Sequence, residues 1–205
     1  VQREARTIRV DAARIDKAGH KHFMSKEIAE QPTVISETLA AYIAPDAGDI
    51  NLPDQGIDFA NMNRIVMASC GTAYYACLTA KYWFEQLAGL PVEVDFASEF
   101  RYRTPPVTEG TAALFVSQSG ETADTLAALR YCAGKASTIL AVTNVPESSI
   151  ARESDLNMPI HAGAEIGVAS TKAFTCQLTV LLLLALKAAH ARGRLSDDAF
   201  KAKLT

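Results

Sequence analysis

The sequence VSQSGET, at residues 116–122, places three hydroxyl groups, an amide and a glycine directly after a run of apolar residues. That run, residues 112–116, is short and bounded by turn-forming residues, which is typical of a strand buried on both faces. Residues 121–130 begin with acidic side chains and carry apolar positions at helical spacing, and Gly134 follows. This pattern predicts a helix that ends at the glycine. The polar residues therefore lie where a buried strand is followed by a helix.

Such a turn favours the binding of an anion, because the first backbone N–H groups of a helix have no partner within the helix. The chain contains neither G-x-G-x-x-G nor G-x-x-x-x-G-K-S/T, which excludes the two familiar loops that bind nucleotide phosphates. Hydroxyl donors at Ser117, Ser119 and Thr122 suit the single terminal phosphate of a phosphomonoester. The alternative is that these side chains only cap the following helix.

Around this turn the chain alternates between short apolar runs and helical patterns. Five runs predict strands, at residues 65–69, 92–96, 112–116, 137–143 and 156–160. The helical pattern between them is clearest at residues 71–88 and weakest at residues 148–153. The alternation predicts a three-layer α/β/α fold with a five-stranded parallel sheet and right-handed crossovers. Pro159 places the fifth strand at an edge of the sheet.

Polar loops follow the first, third and fifth predicted strands. They are residues 69–72, 117–122 and 162–171. The carboxyl ends of parallel strands lie at one edge of a sheet, and ligands bind there at the point where the strand order switches direction. We therefore expect the three loops to form one site.

Two further segments predict helices. Residues 25–43 form either two short helices or one helix interrupted at Pro32. Residues 170–191 form a long helix whose apolar positions cover more than the single stripe of a surface helix. One side of this helix can pack on the sheet and the other needs a partner, so we expect a homodimer or a larger assembly.

The composition excludes several classes of partner. At 49% hydrophobic and 21% charged residues, the 205-residue chain resembles ordinary globular proteins. Its net charge of −3 provides no basic field for nucleic acid or an anionic membrane. The apolar segment at residues 178–186 is about half as long as a bilayer requires. We therefore predict no nucleic-acid partner and no membrane partner.

The chain has four cysteines and four histidines, without a CxxC pair or a zinc-type spacing. This predicts a reduced, cytoplasmic protein with no metal and no cofactor. Cys70 stands where a nucleophile elbow would hold its nucleophile. However, the position six residues on, where a phosphatase-type loop needs arginine, is Ala76. We interpret Cys70 as part of the pocket wall.

Several titratable residues have both a functional and a structural interpretation. His161 could reach a ligand, but a structural role is favoured. Glu165 would repel an anion, so it either hydrogen-bonds within its loop or contacts ligand hydroxyls. Lys172 could supply positive charge, although an exposed lysine is the default interpretation. Surface ion pairs are predicted for Glu99, Arg101 and Arg103, and a solvated or interfacial position for His20 and His22.

Five segments together carry a family resemblance that spans residues 22 to about 190. They are residues 22–32 (HFM, KEI and EQP), 70–72, 97–103, 117–126 and 165–174. They resemble the sugar isomerase (SIS) domain and, within that superfamily, the isomerase portion of the glutamine:fructose-6-phosphate aminotransferases. The sequence SQSGET alone indicates only the superfamily, whereas EIGVASTKAF at residues 165–174 is much more specific for the aminotransferases.

The resemblance implies a flavodoxin-like strand order and a set of ligand-binding residues. The implied substrate-binding residues are Thr72, Ala73, Ser117, Gln118, Ser119, Thr122, Val168, Ala169 and Ser170. Further residues expected in the pocket are Cys70, Gly71, Gly120 and Glu165. The family commonly has serine where this chain has Ala73, so one hydroxyl donor is missing.

The resemblance also implies a substrate and a place in a larger enzyme. The ligand would be fructose 6-phosphate or glucosamine 6-phosphate, in an enzyme that makes glucosamine 6-phosphate and glutamate from fructose 6-phosphate and glutamine. Residues 1–24 would end an interdomain linker, and residues 25–205 would form the SIS domain, with helices at 25–43 and an α/β core at 64–191. A glutaminase domain and a second SIS half would supply the catalytic residues, so we expect none here and no activity from these 205 residues alone.

Two alternatives stay open at this point. One is a regulatory SIS module that senses a phosphosugar without converting it, although residues 1–24 contain no helix-turn-helix pattern that would favour a regulator. The other is a small ketose-aldose phosphosugar isomerase that acts as an oligomer.

Overall fold

Five parallel strands form the central sheet of the computed structural model, which describes residues 16–44, 48–53 and 56–204. The strands are β1 (Arg64–Ser69), β2 (Val92–Phe96), β3 (Thr111–Ser117), β4 (Thr138–Thr143) and β5 (Leu156–Pro159). Each pairs parallel with its neighbour, in the order β2-β1-β3-β4-β5. The predicted parallel sheet, its flavodoxin-like order and the edge position of the fifth strand are confirmed.

Helices cover both faces of this sheet. They are α1 (Phe23–Tyr42), α2 (Gly71–Trp83), α3 (Ala97–Arg103), α4 (Ala123–Cys132), α5 (Ser149–Glu153), α6 (Lys172–Ala191) and α7 (Asp197–Lys201). A π-helical turn, Phe84–Ala88, continues α2. One core lies between the sheet and α1, α2 and α6, and a second lies between the sheet and α3, α4 and α5. The three-layer prediction is thus confirmed.

The strand β3 shows why residues 112–116 are continuously apolar. All seven of its residues are buried. Leu114 and Val116 belong to the first core, whereas Ala113 and Phe115 belong to the second. Since successive side chains of a strand point to opposite faces, a strand covered on both sides needs apolar residues at every position.

The helix α1 runs without interruption through Pro32, so the predicted break at this proline is wrong. Pro32 is exposed, so water can satisfy the carbonyl that the missing proline N–H leaves without a donor. The α1 side chains Thr38 and Tyr42 donate hydrogen bonds to the carbonyls of Ile160 (2.6 Å) and Pro159 (2.8 Å), which fastens α1 to the end of β5.

The helix α6 is covered on both sides, which contradicts the expectation that one side would lack a partner. Twelve of its residues are buried, and none of its large apolar side chains is exposed. The sheet and α2 cover one side, and Val34 and Tyr42 of α1 pack in the same core. The segment is long and apolar enough to cross a membrane by length and composition, but most of it is buried inside the domain. The homodimer was predicted from an exposed apolar side of α6, and the described residues of this helix show no such exposed side.

Two short helices, α3 and α7, were not predicted from the sequence. The segment that forms α3 was read as a charged patch. The predicted surface ion pairs are confirmed for Arg103, which donates to Asp95 at 2.7 Å and also contacts Glu93. Arg101 instead donates to Tyr102 Oη at 2.7 Å. The predicted linker, residues 1–24, lies mostly outside the described residues, which begin at residue 16.

An ion pair joins α1 to the first turn of α6. Lys172 is only 3% exposed, contrary to its default interpretation as an exposed lysine, and its Nζ lies 2.8 Å from Glu30 Oε2. Lys26 Nζ lies 3.5 Å from the other oxygen of Glu30. Burial alone would raise the pKa of Glu30, but the hydrogen bond and charge of Lys172, together with Lys26, outweigh it and hold the pKa below its usual value.

We predict that this pair makes stability depend on pH. A depressed carboxyl pKa contributes stability that is complete above the unfolded-state pKa, about 4.5, and is lost as pH falls through the lower folded-state pKa. Glu30→Gln should therefore lower the free energy of unfolding at pH 7 by about 1–3 kcal/mol, because it leaves a buried ammonium without its carboxylate. It should also flatten the decline between about pH 5 and pH 3.

Urea unfolding at pH 7, 5 and 3.5 tests this expectation. The control is Glu153→Gln, which breaks the exposed pair with Arg130 and should change stability by less than about 1 kcal/mol. Equal pH profiles for the unmutated chain and Glu30→Gln would contradict the assignment.

Candidate functional site

The three polar loops meet at the carboxyl edge of the sheet and enclose a pocket of about 430 Å³. Its walls are formed by residues 70–73, 116–119, 122, 165, 167–170 and 177. All nine residues implied as substrate-binding, together with Cys70, Gly71 and Glu165, line this one pocket. Gly120 does not line it, whereas Val116, Gly167 and Gln177 line it without having been predicted. Whether these residues bind a ligand stays a prediction.

The loop after β3 takes its shape from hydrogen bonds among its own residues. Ser117 Oγ accepts from Gly120 N at 3.0 Å and lies 3.0 Å from Thr122 Oγ1. Ser119 Oγ accepts from Glu121 N at 3.2 Å. Thr122 is the N-cap residue of α4, but its side chain makes no capping hydrogen bond. These hydroxyls therefore shape the loop and line the pocket rather than cap the helix.

Gly120 is required by the packing beneath the loop. Its φ is +65°, and a Cβ at this position would lie 1.9 Å from Ser148 Oγ. Only glycine tolerates both the left-handed backbone and this close approach. The role of Gly120 is to place the loop, because its own atoms lie behind the pocket wall.

The loop after β1 brings a second helix N-terminus to the pocket. Cys70 is the N-cap residue of α2, and Gly71, Thr72 and Ala73 are the first three residues of that helix. Their N–H groups have no acceptor within the helix, so they provide donors and a positive dipole end. Cys70 lies in the wall as interpreted, and its Sγ accepts a long hydrogen bond from Thr125 Oγ1 at 4.0 Å.

Glu165 is the only charged side chain among the described residues that line the pocket. Its Oε1 accepts hydrogen bonds from Thr171 N at 2.9 Å and Ala173 N at 3.2 Å. The carboxylate thus caps the N-terminus of α6, which agrees with the interpretation that it bonds within its own loop. Its charge is partly balanced by the dipole of that helix.

A buried carboxylate from α1 holds the loop after β5. Glu27 is 2% exposed, and its Oε1 accepts from Ile166 N at 2.6 Å and Gly167 N at 3.0 Å. A Cβ on Gly167 would lie 2.5 Å from Glu27 Oε2, so glycine allows the carboxylate to approach. Glu27 lies in a segment of family resemblance, but no role was predicted for it from the sequence.

Asn144, which follows β4, connects two of the three loops. Its backbone N–H donates to Gln118 O at 3.1 Å, and its Nδ2 donates to Gly163 O at 2.6 Å. Its Oδ1 accepts from Ala162 N at 3.1 Å. Asn144 was also missed, because a single asparagine after a strand reads as an ordinary turn residue.

The other candidate residues lie outside the pocket walls. His161 has a φ of +54° and packs edge-on against Tyr42 at 6.0 Å, and burial lowers its pKa. His20 Nδ1 lies 3.0 Å from Ser25 Oγ. Within residues 16–44, 48–53 and 56–204, no three His, Cys, Asp or Glu side chains cluster as metal ligands would.

The remaining cysteines are buried thiols. Burial raises the pKa of Cys77 to about 12 and that of Cys132 to about 11, and it also raises the pKa of Cys176. A thiol that stays protonated is a poor nucleophile. These three residues therefore act as small core side chains.

We predict that Glu27→Gln loosens the loop after β5. The substitution keeps the shape of the side chain but replaces a charged acceptor by a neutral amide, and hydrogen bonds to charged groups contribute about 1.5–3 kcal/mol. Amide hydrogen exchange at Ile166 and Gly167 should accelerate by about tenfold or more. The control Glu99→Gln changes an exposed carboxylate and should leave these amides unaffected. Unchanged protection in Glu27→Gln would mean that the loop is held by other contacts.

Known proteins share both the sequence and the fold of this chain. The SIS domain model matches residues 58–187. The glutamine–fructose-6-phosphate aminotransferase (isomerizing) of Bradyrhizobium diazoefficiens is 56% identical over 199 residues, which cover 97% of this chain and 33% of that protein. The Brucella abortus protein of the same name is 56% identical over 183 residues, or 89% of this chain and 30% of the relative.

A solved structure gives the same result. The C-terminal domain of glucosamine-fructose-6-phosphate aminotransferase from Francisella tularensis superimposes with a TM-score of 0.87 at 43% identity, covering 92% of this chain and 54% of that one. The chain thus spans about a third of the length of the curated relatives it matches. Because the domain model covers well over half of the 205 residues and the solved relative has the same fold, the chain belongs to the SIS domain family.

Proposed function

We propose that this chain is the sugar-phosphate-binding isomerase subdomain of a glutamine:fructose-6-phosphate aminotransferase. In the complete enzyme it would hold fructose 6-phosphate, or the product glucosamine 6-phosphate, during the conversion of fructose 6-phosphate and glutamine to glucosamine 6-phosphate and glutamate. The observation that carries the proposal is the pocket in which hydroxyl donors and two helix N-termini converge.

This arrangement suits a phosphomonoester. Ser117, Ser119 and Thr122 offer hydroxyl donors on one side of the pocket, and the first residues of α2 lie across it. The N-termini of α2 and α4 supply positive potential where the lining side chains supply none. Ala73 contributes its backbone N–H alone, so affinity rests more heavily on the loop after β3.

The opposite wall would receive the sugar. Val168 and Ala169 are exposed at the rim of the pocket, and Ser170 lies deeper beside α6. The clamp that Glu27 places on Ile166 and Gly167 would fix the distance between this wall and the phosphate-binding loop.

The chemistry of amino transfer would come from outside this chain. Imine formation needs an amine, but the described pocket walls contain no lysine, and Lys172 is paired with Glu30 away from the pocket. We propose that a glutaminase domain and a second SIS half complete the enzyme, and that the 205 residues alone have no turnover. A self-sufficient small isomerase would need a general base rather than an amine, and the carboxylate in the described pocket walls, Glu165, already accepts hydrogen bonds from Thr171 N and Ala173 N. No observation favours a regulator.

We further propose that the SIS domain comprises residues 25–205, because α1 packs in its core. We also propose that the protein is cytoplasmic and forms a homodimer. The cysteines are all free, as in reducing compartments. Exposed apolar side chains beside the pocket, rather than α6, offer the contact surface, namely Met24, Ile28, Ile166 and Val168. Neither nucleic acid nor a membrane forms part of the proposal.

The phosphate assignment predicts the effect of Ser119→Ala. Losing one hydrogen bond to a charged group should weaken fructose 6-phosphate binding by about 10- to 100-fold. Titration calorimetry of the 205-residue chain measures this, with Ser36→Ala on the exposed side of α1 as the control. If unphosphorylated fructose bound as tightly as fructose 6-phosphate, the assignment of these residues to the phosphate would be wrong.

A further inference from the structure

A buried glutamine in the second turn of the apolar helix α6 lines the pocket. Gln177 is 1% exposed and lines the pocket, and its Oε1 is buried without a hydrogen-bond partner among the described residues. Ser170 Oγ lies in the same wall and is likewise buried and unpartnered. Two polar groups without partners therefore lie on one side of the pocket.

An unpaired buried acceptor is costly. It forfeits about 1–3 kcal/mol of hydration, and buried polar groups in native proteins nearly always have a partner. The neighbours of Gln177 on α6 include the buried apolar residues Ala173, Val180 and Leu181. A leucine or methionine at position 177 would fit such surroundings without this cost. The position of the amide is therefore better explained by a ligand than by packing.

The chemistry of the two walls differs. The wall formed by Ser117, Ser119 and Thr122 presents hydroxyl donors, whereas Gln177 Oε1 can only accept a hydrogen bond. Glu165 adds a carboxylate to this second wall. A phosphate dianion has no proton to donate, so the group that pairs with Gln177 must belong to another part of the ligand.

We propose that Gln177 is a specificity-determining residue whose Oε1 accepts a hydrogen bond from a hydroxyl of the sugar, with Ser170 as a second contact to the same part of the ligand. This inference rests on the proposed phosphosugar function. The ligand class is a polyhydroxylated phosphomonoester that spans the pocket, with its phosphate at the loop after β3 and its hydroxyls at α6.

The test is Gln177→Met, which keeps the length of an unbranched side chain and removes its hydrogen-bonding groups. Calorimetry on the 205-residue chain should show fructose 6-phosphate binding about 5- to 30-fold weaker, the effect of one lost hydrogen bond. The affinity for inorganic phosphate, which lacks the sugar, should stay within about twofold. The melting temperature should not fall, because the variant removes an unpaired buried acceptor.

Two further variants keep the outcomes distinct. Gln177→Leu should repeat the pattern of Gln177→Met, and Ser119→Ala should weaken both ligands. Unchanged fructose 6-phosphate affinity in the position-177 variants, or equal losses for both ligands, would overturn the role of Gln177 while leaving the phosphosugar function intact. If the unmutated chain bound neither ligand, the proposed function and this inference would fall together.

Discussion

The pairing of β1 with β3 is the constraint on which the site depends. Ala68 lies opposite Phe115, so the two strands end together at the carboxyl edge of the sheet. Ser69 strengthens the junction: its Oγ accepts from Val116 N at 3.1 Å and lies 2.9 Å from Val116 O. Because β2 lies on one side of β1 and β4 on the far side of β3, the connections leave this point in opposite directions. The crevice between α2 and α4 is the result.

The helix α1 positions the third loop of the pocket, the loop after β5. The loops after β1 and β3 directly follow central strands of the sheet, whereas the longer loop after β5 is held by Asn144 and by side chains of α1. Glu27 binds its backbone, and Glu30 binds Lys172 just beyond it. Farther along, Thr38 and Tyr42 hold the end of β5. A helix that precedes the α/β core in sequence thus governs one wall of the pocket, and this gives the segment containing Glu27 a physical role.

The sequence was most informative where the cause is local. Buried parallel strands require apolar residues at every position, so their bounds were predicted closely. The turn at residues 117–122 contains its hydroxyl side chains and its glycine within six consecutive residues, so its place in the pocket could be predicted from the local sequence. The helix α3 was missed because only Ala97 and Phe100 are buried within it, too few to show a helical period among charged neighbours. The cover of α6 by α1 was missed because periodicity indicates that a face is buried but not which element buries it.

The sequence also does not show which distant residues contact the site. Glu27, Asn144 and Gln177 act across long sequence separations, and each type of residue is common in unrelated roles. Gln177 directly precedes the apolar run at residues 178–186, where a polar residue is ordinary, and only its burial beside the pocket distinguishes it. Glu165 shows the converse, since one of the two predicted interpretations is supported by its bonds to Thr171 and Ala173.

We propose that a phosphosugar binds at the carboxyl edge of the sheet. A second cavity, of about 540 Å³, lies at the opposite edge and includes residues 56–58, 61–63 and 109–110 among its walls. Backbone amide chemical shifts, recorded while fructose 6-phosphate is added to the 205-residue chain, distinguish the two. We predict that the largest changes occur at residues 71–73 and 117–122. If the largest changes instead occurred around residues 56–63 and 109–110, the claim would be contradicted.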